Sequence, residues 1–272
     1  MKKRYLLFIA LIYLFFGFTF QKDKSKEDFA PPGTVKVDSN LFYDVSEISN
    51  FEWLEYLLWL KDQYGADDEM YKWNLPDTSV WNKPLSYNDP YRIYYFRHPA
   101  YRNYPVVGIS YEQVIGYCKW RTDRVRELLE KVKSEHPKTY IPKKFVYRLP
   151  TKEEWEIQVK IGYSDKIKKQ LEHKYKGKKR YNMKERSGDS MGVAGSLNDN
   201  ADVTAPVFSY WPNKNGIYNL IGNVAEMTSE EGIAVGGSWM HLYDEDDLEK
   251  DYTYDTPAAW LGFRCVCEII EE

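Results

Sequence analysis

The sequence predicts an α+β fold with few regular elements and much irregular coil. Three observations predict it. Helix starts recur at Ser49, Ser110 and Thr151, each followed three residues later by Glu52, Gln113 or Glu154. That spacing is a capping box: the hydroxyl accepts from an orphan backbone N–H, and the acid or amide reaches back to the cap. Short β-prone runs stand near both ends of the chain, at Val35, Val37 and Leu41 to Val45, and again beyond Gly232. The remainder is punctuated by Gly, Pro, Asn and Asp, the residues that supply turn conformations.

In chain order, Met1-Lys2-Lys3-Arg4 is cationic, Leu6 to Phe20 is almost wholly apolar, and residues 21–28 are polar. This pattern over residues 1–20 reads as an export signal, and the apolar run falls short of the ~18 to 20 residues that span a bilayer. Phe18-Thr19-Phe20 lacks the small residues of a good cleavage site, so an uncleaved membrane anchor stays open as the alternative. Residues 21–33, charged and then Pro-rich at Pro31-Pro32-Gly33, read as a flexible linker, and one domain is expected over 34–272. Behind Ser49, the helical spacing of Phe51, Leu54, Leu57, Leu58 and Lys61 predicts a core face. Behind Ser110 the stripe is Val114, Tyr117, Cys118 and Arg121, and behind Thr151 it is Trp155 and Val159. Residues 65–109 and 162–216 are long and irregular, and such loops tend to be functional or partner-facing.

The charge is nearly balanced, at net −3, which gives no support for a nucleic-acid surface. Aromatic residues reach 17%, so rings either fill the core and loops or build a sugar- or peptide-binding face. Lys166 to Lys184 is basic and reads as a solvated helix or loop. The acids Asp244, Glu245, Asp246, Asp247 and Glu249 read as a solvated face, with a hard cation or a basic partner as the alternative. Of the four histidines, His98, His136, His173 and His241, none stands four residues from another, a poor basis for an iron centre. No Ser-His-Asp set, Gly-rich phosphate loop or zinc-type cysteine cluster can be read. The three cysteines, Cys118, Cys265 and Cys267, leave at least one thiol unpaired within the chain, and export implies a compartment where disulfides persist.

Four motifs then stand in fixed order. They are Tyr147-Arg148-Leu149-Pro150-Thr151-Lys152-Glu153-Glu154-Trp155, Gly216-Ile217-Tyr218-Asn219-Leu220-Ile221-Gly222-Asn223-Val224-Ala225-Glu226, Gly236-Gly237-Ser238-Trp239 and Gly262-Phe263-Arg264-Cys265-Val266. Together with Glu47-Ile48-Ser49-Asn50 and Tyr104-Pro105-Val106-Val107-Gly108-Ile109-Ser110, they resemble the formylglycine-generating enzyme family, also called the sulfatase-modifying-factor domain. The resemblance implies a C-type-lectin-like core. Leu75-Pro76-Asp77-Thr78, Trp81, Tyr87-Asn88-Asp89-Pro90, Tyr95-Phe96-Arg97-His98-Pro99-Ala100-Tyr101 and Cys118-Lys119-Trp120-Arg121-Thr122 are similar to the branch found in gliding-motility lipoproteins of the Bacteroidetes. Those are structural parts of the gliding and type IX secretion machinery. This narrower resemblance implies a cell-envelope protein partner and a place in the periplasm or outer-membrane periphery of a Gram-negative bacterium.

The resemblance also implies sites. Asn219, Gly222, Val224 and Glu226 match the family's calcium-binding segment, in which side-chain and backbone oxygens ligate the ion; the alternative is a turn that satisfies only itself. Cys118 and Cys265 match cysteines that are paired in some members, a bond closing a long loop and contributing roughly 5 kcal/mol; the alternative is a buried apolar Cys118 on a helix. Active members bind copper(I) through two cysteines shortly after Gly-Gly-Ser-Trp. Here no cysteine lies between Trp239 and Cys265, and the places two and seven residues after Trp239 hold His241 and Asp246. No copper site is therefore expected. Three functions follow as expectations: a non-catalytic envelope scaffold, an oxidoreductase with an altered metal site at His241, or a carbohydrate- or peptide-binding module. The fold alone does not choose among them.

Overall fold

The computed structural model describes residues 29–82, 89–162, 169, 173–174, 176, 181–184, 203–244 and 248–271. The expected export signal over residues 1–20, most of the expected linker, most of the basic stretch and Glu245 to Asp247 lie outside the described residues. Two four-stranded sheets carry the domain. One is antiparallel throughout, with β1 (Thr34–Lys36), β2 (Leu41–Asp44), β8 (Val266–Glu271) and β3 (Lys144–Arg148) in the order β1-β2-β8-β3. The other runs β6 (Tyr252–Thr253), β5 (Ile233–Val235), β4 (Ala225–Met227) and β7 (Leu261–Gly262), with β4 and β7 parallel. The helices are α1 (Asn50–Tyr64), α2 (Glu69–Trp73), α3 (Asp89–Tyr94), α4 (Tyr111–Glu135) and α5 (Lys152–Gly162), with 3₁₀ turns at Thr78–Trp81 and Pro99–Tyr101. The fold is α+β with much coil, as the sequence predicts.

All three capping boxes close. Ser49, Ser110 and Thr151 receive the amides of Glu52, Gln113 and Glu154 at 3.3, 3.3 and 3.1 Å. The return bonds from the cap amides to Glu52, Gln113 and Glu154 measure 2.8, 2.7 and 2.8 Å. The stripes of α4 and α5 are buried as expected. The α1 face is corrected: Trp53, Tyr56, Leu57 and Leu60 are buried, while Phe51 and Leu58 are exposed. Apolar residues ring most of α1, so spacing alone does not choose its face; the side that inserts the large rings removes more area from water.

Trp53 anchors the core. It stacks on Tyr117 at 5.4 Å, meets Phe263 edge-on at 6.0 Å, and its indole N–H donates to the Asn74 carbonyl at 3.1 Å. Where α4 covers β3, Thr122 Oγ1 accepts from the Tyr147 amide at 2.9 Å and so satisfies the outer edge of that strand. The expected linker boundary is also corrected. Phe29 is buried against Phe42 and Tyr140, and the Pro32 carbonyl accepts from Arg121, so residues 29–33 belong to the packed domain. Among the described residues no helix is long and apolar enough to cross a membrane.

Candidate functional site

The turn that leads into β4 is shaped by two asparagines in the left-handed region, Asn219 at φ +50° and Asn223 at φ +66°. Asparagine tolerates that backbone better than most residues. Both side chains are buried and converge on one carboxyl. Asn219 Nδ2 donates to Glu47 Oε2 at 3.0 Å, and Asn223 Nδ2 donates to Glu47 Oε1 at 2.8 Å. The same amides tie in the 203–207 segment through the Val207 and Ala205 carbonyls, both at 3.1 Å. Glu47 lies two residues before the cap of α1, so three distant segments meet at this point.

Beside it stand two buried ion pairs. Arg264 Nε donates to Glu226 Oε2 at 2.7 Å, and its Nη2 donates to Glu226 Oε1 and to the Tyr218 carbonyl. Arg121 grips Asp44 in a two-pronged contact at 2.7 and 2.8 Å, and its guanidinium lies 4.2 Å over the Tyr147 ring. Among the described residues the two guanidinium groups are paired with Glu226 and Asp44, which leaves Glu47 without an ion pair of its own. Burial pushes the Glu47 carboxyl up to about 8; Arg264 pulls it back and Glu226 adds to the rise. Burial also raises Glu226, with Arg264 opposing. Burial works against the Arg264 guanidinium, yet Glu226 outweighs it and holds the charge firmly in place.

Of the four expected calcium residues, Asn219 and Glu226 belong to this network. Asn219 Oδ1 is buried and accepts no hydrogen bond among the described residues. A buried amide oxygen without a donor is a hard ligand open to a cation. Gly222, at φ +81°, lets the chain pass the Asn182 backbone, where a Cβ would meet the carbonyl oxygen at 3.0 Å. Glu226 also has the role the sequence did not disclose, as partner of Arg264, and an ion would share its carboxylate. Val224 packs its side chain against Gly262.

The Gly-Gly-Ser-Trp turn sits across from that segment. Gly236 takes φ +84°, and a Cβ there would lie 2.5 Å from the Leu220 carbonyl oxygen. Ser238 is fully buried and its Oγ is 2.8 Å from His241 Nδ1. The His241 ring packs against Tyr252 at 4.2 Å and Trp260 at 5.1 Å. Trp239 stacks on Trp81 at 6.0 Å and donates to the Ala259 carbonyl at 3.0 Å. Asp246 lies outside the described residues, while Glu249 and Asp251 pair with Lys160 and Lys152 of α5 at 3.1 and 2.7 Å. That end of the acidic run is held by lysines. Among the described residues no three His, Cys, Asp or Glu side chains are grouped to hold a metal.

The Cys118 and Cys265 sulfurs face each other at 3.6 Å in the core, and Cys267 is buried close by in β8. Burial pushes the Cys267 thiol up to about 12. Sequence reasoning missed the Glu47–Asn223–Arg264 network. Its signal was present, since each member is a polar residue inside an apolar motif.

A family model described as the sulfatase-modifying factor enzyme 1-like domain matches residues 13–269. The chain belongs to that family. Among its relatives it is similar to the Mus musculus formylglycine-generating enzyme, 25% identical over 209 residues, 61% of this chain and 45% of that protein. It is also similar to the Bos taurus inactive C-alpha-formylglycine-generating enzyme 2, 25% identical over 178 residues, 60% of this chain and 50% of that protein. The chain thus spans about half the length of these relatives. Of solved structures, it is similar to CarF, with TM-score 0.47 and 18% identity over 87% of this chain and 95% of that one. Treponema denticola variable protein 1 has TM-score 0.45 and 16% identity over 88% of this chain and 92% of that one. Family membership covers both sheets and both turns described above, so the network and the Gly-Gly-Ser-Trp turn lie inside the family domain.

Proposed function

We propose that this protein is an exported, non-catalytic member of the sulfatase-modifying-factor family. It serves as a scaffold or interaction component of a Gram-negative cell envelope, in the periplasm or at the outer-membrane periphery. One observation carries this reading: no cysteine lies between Trp239 and Cys265, the stretch where the resemblance puts copper(I) ligands. His241 occupies the first of those places with one ring nitrogen bonded to Ser238, and all three thiols are buried, Cys118 in α4, Cys265 just before β8 and Cys267 within it. A copper(I) centre depends on soft thiolates. The bovine relative's own name includes the word inactive. The likeness of the Tyr95–Tyr101 motif to gliding-motility lipoproteins favours that machinery as the setting. The test is oxygen consumption with copper(I) and a cysteine-bearing peptide, for which no uptake above buffer is expected. Uptake that disappears in His241→Ala would replace this reading with an altered-metal oxidoreductase.

Two structural features belong to the same proposal. In an oxidising compartment Cys118 and Cys265 join, closing a loop between residues 147 apart in sequence and contributing roughly 5 kcal/mol. Alkylation of denatured, unreduced protein is then expected to label Cys267 alone; three labelled cysteines would exclude the bond. Calcium is held by Asn219 and Glu226 with the Gly222 and Val224 carbonyls. Melting temperature is expected to rise with calcium and fall with chelator in wild type, and to ignore both in Asn219→Ala. A wild type indifferent to calcium would remove the ion from the proposal.

A further inference from the structure

From Pro90 to Tyr104 the chain carries three arginines, five tyrosines and no carboxylate, in a protein of net charge −3. The structure gives this stretch a rigid base. Tyr95 is buried 4.7 Å from the Trp81 ring, and Tyr101 packs on Tyr91, Tyr95 and Tyr104 at 5.9, 5.5 and 5.1 Å. Asn50 at the start of α1 fastens the base by donating to the Tyr95 and Tyr101 carbonyls at 3.1 and 3.0 Å. The outer side is apolar and basic at once. Ile93 is 61% exposed and its neighbour Tyr94 50%. Arg92, Arg97 and Arg102 are exposed, and none forms an ion pair among the described residues.

A solvated face normally intersperses both signs of charge, whereas exposed rings beside arginines mark interfaces. We propose that this surface docks an acidic segment of a partner protein. Its carboxylates take the planar guanidinium forks of Arg92, Arg97 and Arg102, and an apolar side chain packs on Ile93 and Tyr94. The unbalanced positive charge selects the occupant, because a guanidinium pairs with a carboxylate through two parallel bonds. This gives the chemistry of the partner in the scaffold reading and rests on that reading for the partner's role.

The probe is a fluorescein-labelled poly-glutamate peptide with one central leucine, followed by anisotropy on the full chain. Wild type is expected to bind it, and the triple variant Arg92→Ser, Arg97→Ser, Arg102→Ser to bind about tenfold more weakly or worse, with an unchanged melting temperature. Tyr94→Ser is expected to weaken binding as well. Neutralising the exposed Lys61, Lys119 and Lys138 together is expected to leave it intact. No binding by wild type, or equal binding by the arginine variant, would overturn the proposal. So would tighter, arginine-dependent binding of heparin or of phosphatidylglycerol vesicles, which would assign the surface to a glycan or a membrane. An envelope partner that still co-purifies with the arginine variant would sink this surface and spare the scaffold reading. Peptide binding without any envelope partner would do the reverse.

Discussion

Replacing Arg264 with alanine is expected to lower the melting temperature by about 10 °C or to prevent folding altogether. The side chain is fully buried and holds Glu226 by two bonds, the Tyr218 carbonyl at 2.8 Å and the Asp44 carbonyl at 3.3 Å. Removing one member of a buried pair strands the other, at a cost of about 3–5 kcal/mol, and each kcal/mol shifts a domain of this size by about 2–4 °C. The double variant Arg264→Met, Glu226→Leu is expected to recover much of the loss, because it strands no charge. Thermal unfolding followed by circular dichroism checks both. An Arg264→Ala protein that melts with the wild type would show that the pair holds nothing together.

Glu47→Gln is expected to flatten the dependence of stability on pH. The carboxyl titrates at 4.5 when unperturbed and near 8 in the folded protein, chiefly because it is buried. Its neighbours are Arg264, which lowers the value, Glu226, which raises it, and the amides of Asn219 and Asn223, with Tyr95 nearby. Between those two values the folded chain keeps a proton that the unfolded chain has released. The contribution is therefore complete below the unfolded value and is lost as pH rises through the folded one. Wild type is expected to lose about 3 kcal/mol from this group between roughly pH 5 and pH 8, and the glutamine variant to lose little of it. Urea unfolding across that range measures the difference. Equal slopes in the two proteins would mean that Glu47 is ionised in the fold.

How much of this was legible in the sequence depends on how far apart the partners lie. A capping box joins residues three apart, and all three were readable as written. The α1 face was not, because Leu54 and Leu58 fit helical spacing as well as Trp53 and Leu57 do. Glu47 meets Asn219 and Asn223 across 172 and 176 residues, and no local period reports such a contact. The Tyr95–Tyr101 motif was visible as a pattern, and His98 does bond locally, its Nδ1 accepting from the Ala100 amide at 3.2 Å. That its neighbours Arg97 and Tyr94 face solvent together is a property of packing. Phe29 was read as linker because a single ring among charges gives no periodic signal, yet it fills a gap between Phe42 and Tyr140.

Purification of a tagged chain from its native cells, followed by mass spectrometry, bears most directly on whether the family fold serves here as a scaffold. A stoichiometric envelope protein that stays bound through the final column is the expected result. A chain that elutes alone and consumes oxygen in the presence of copper would contradict it.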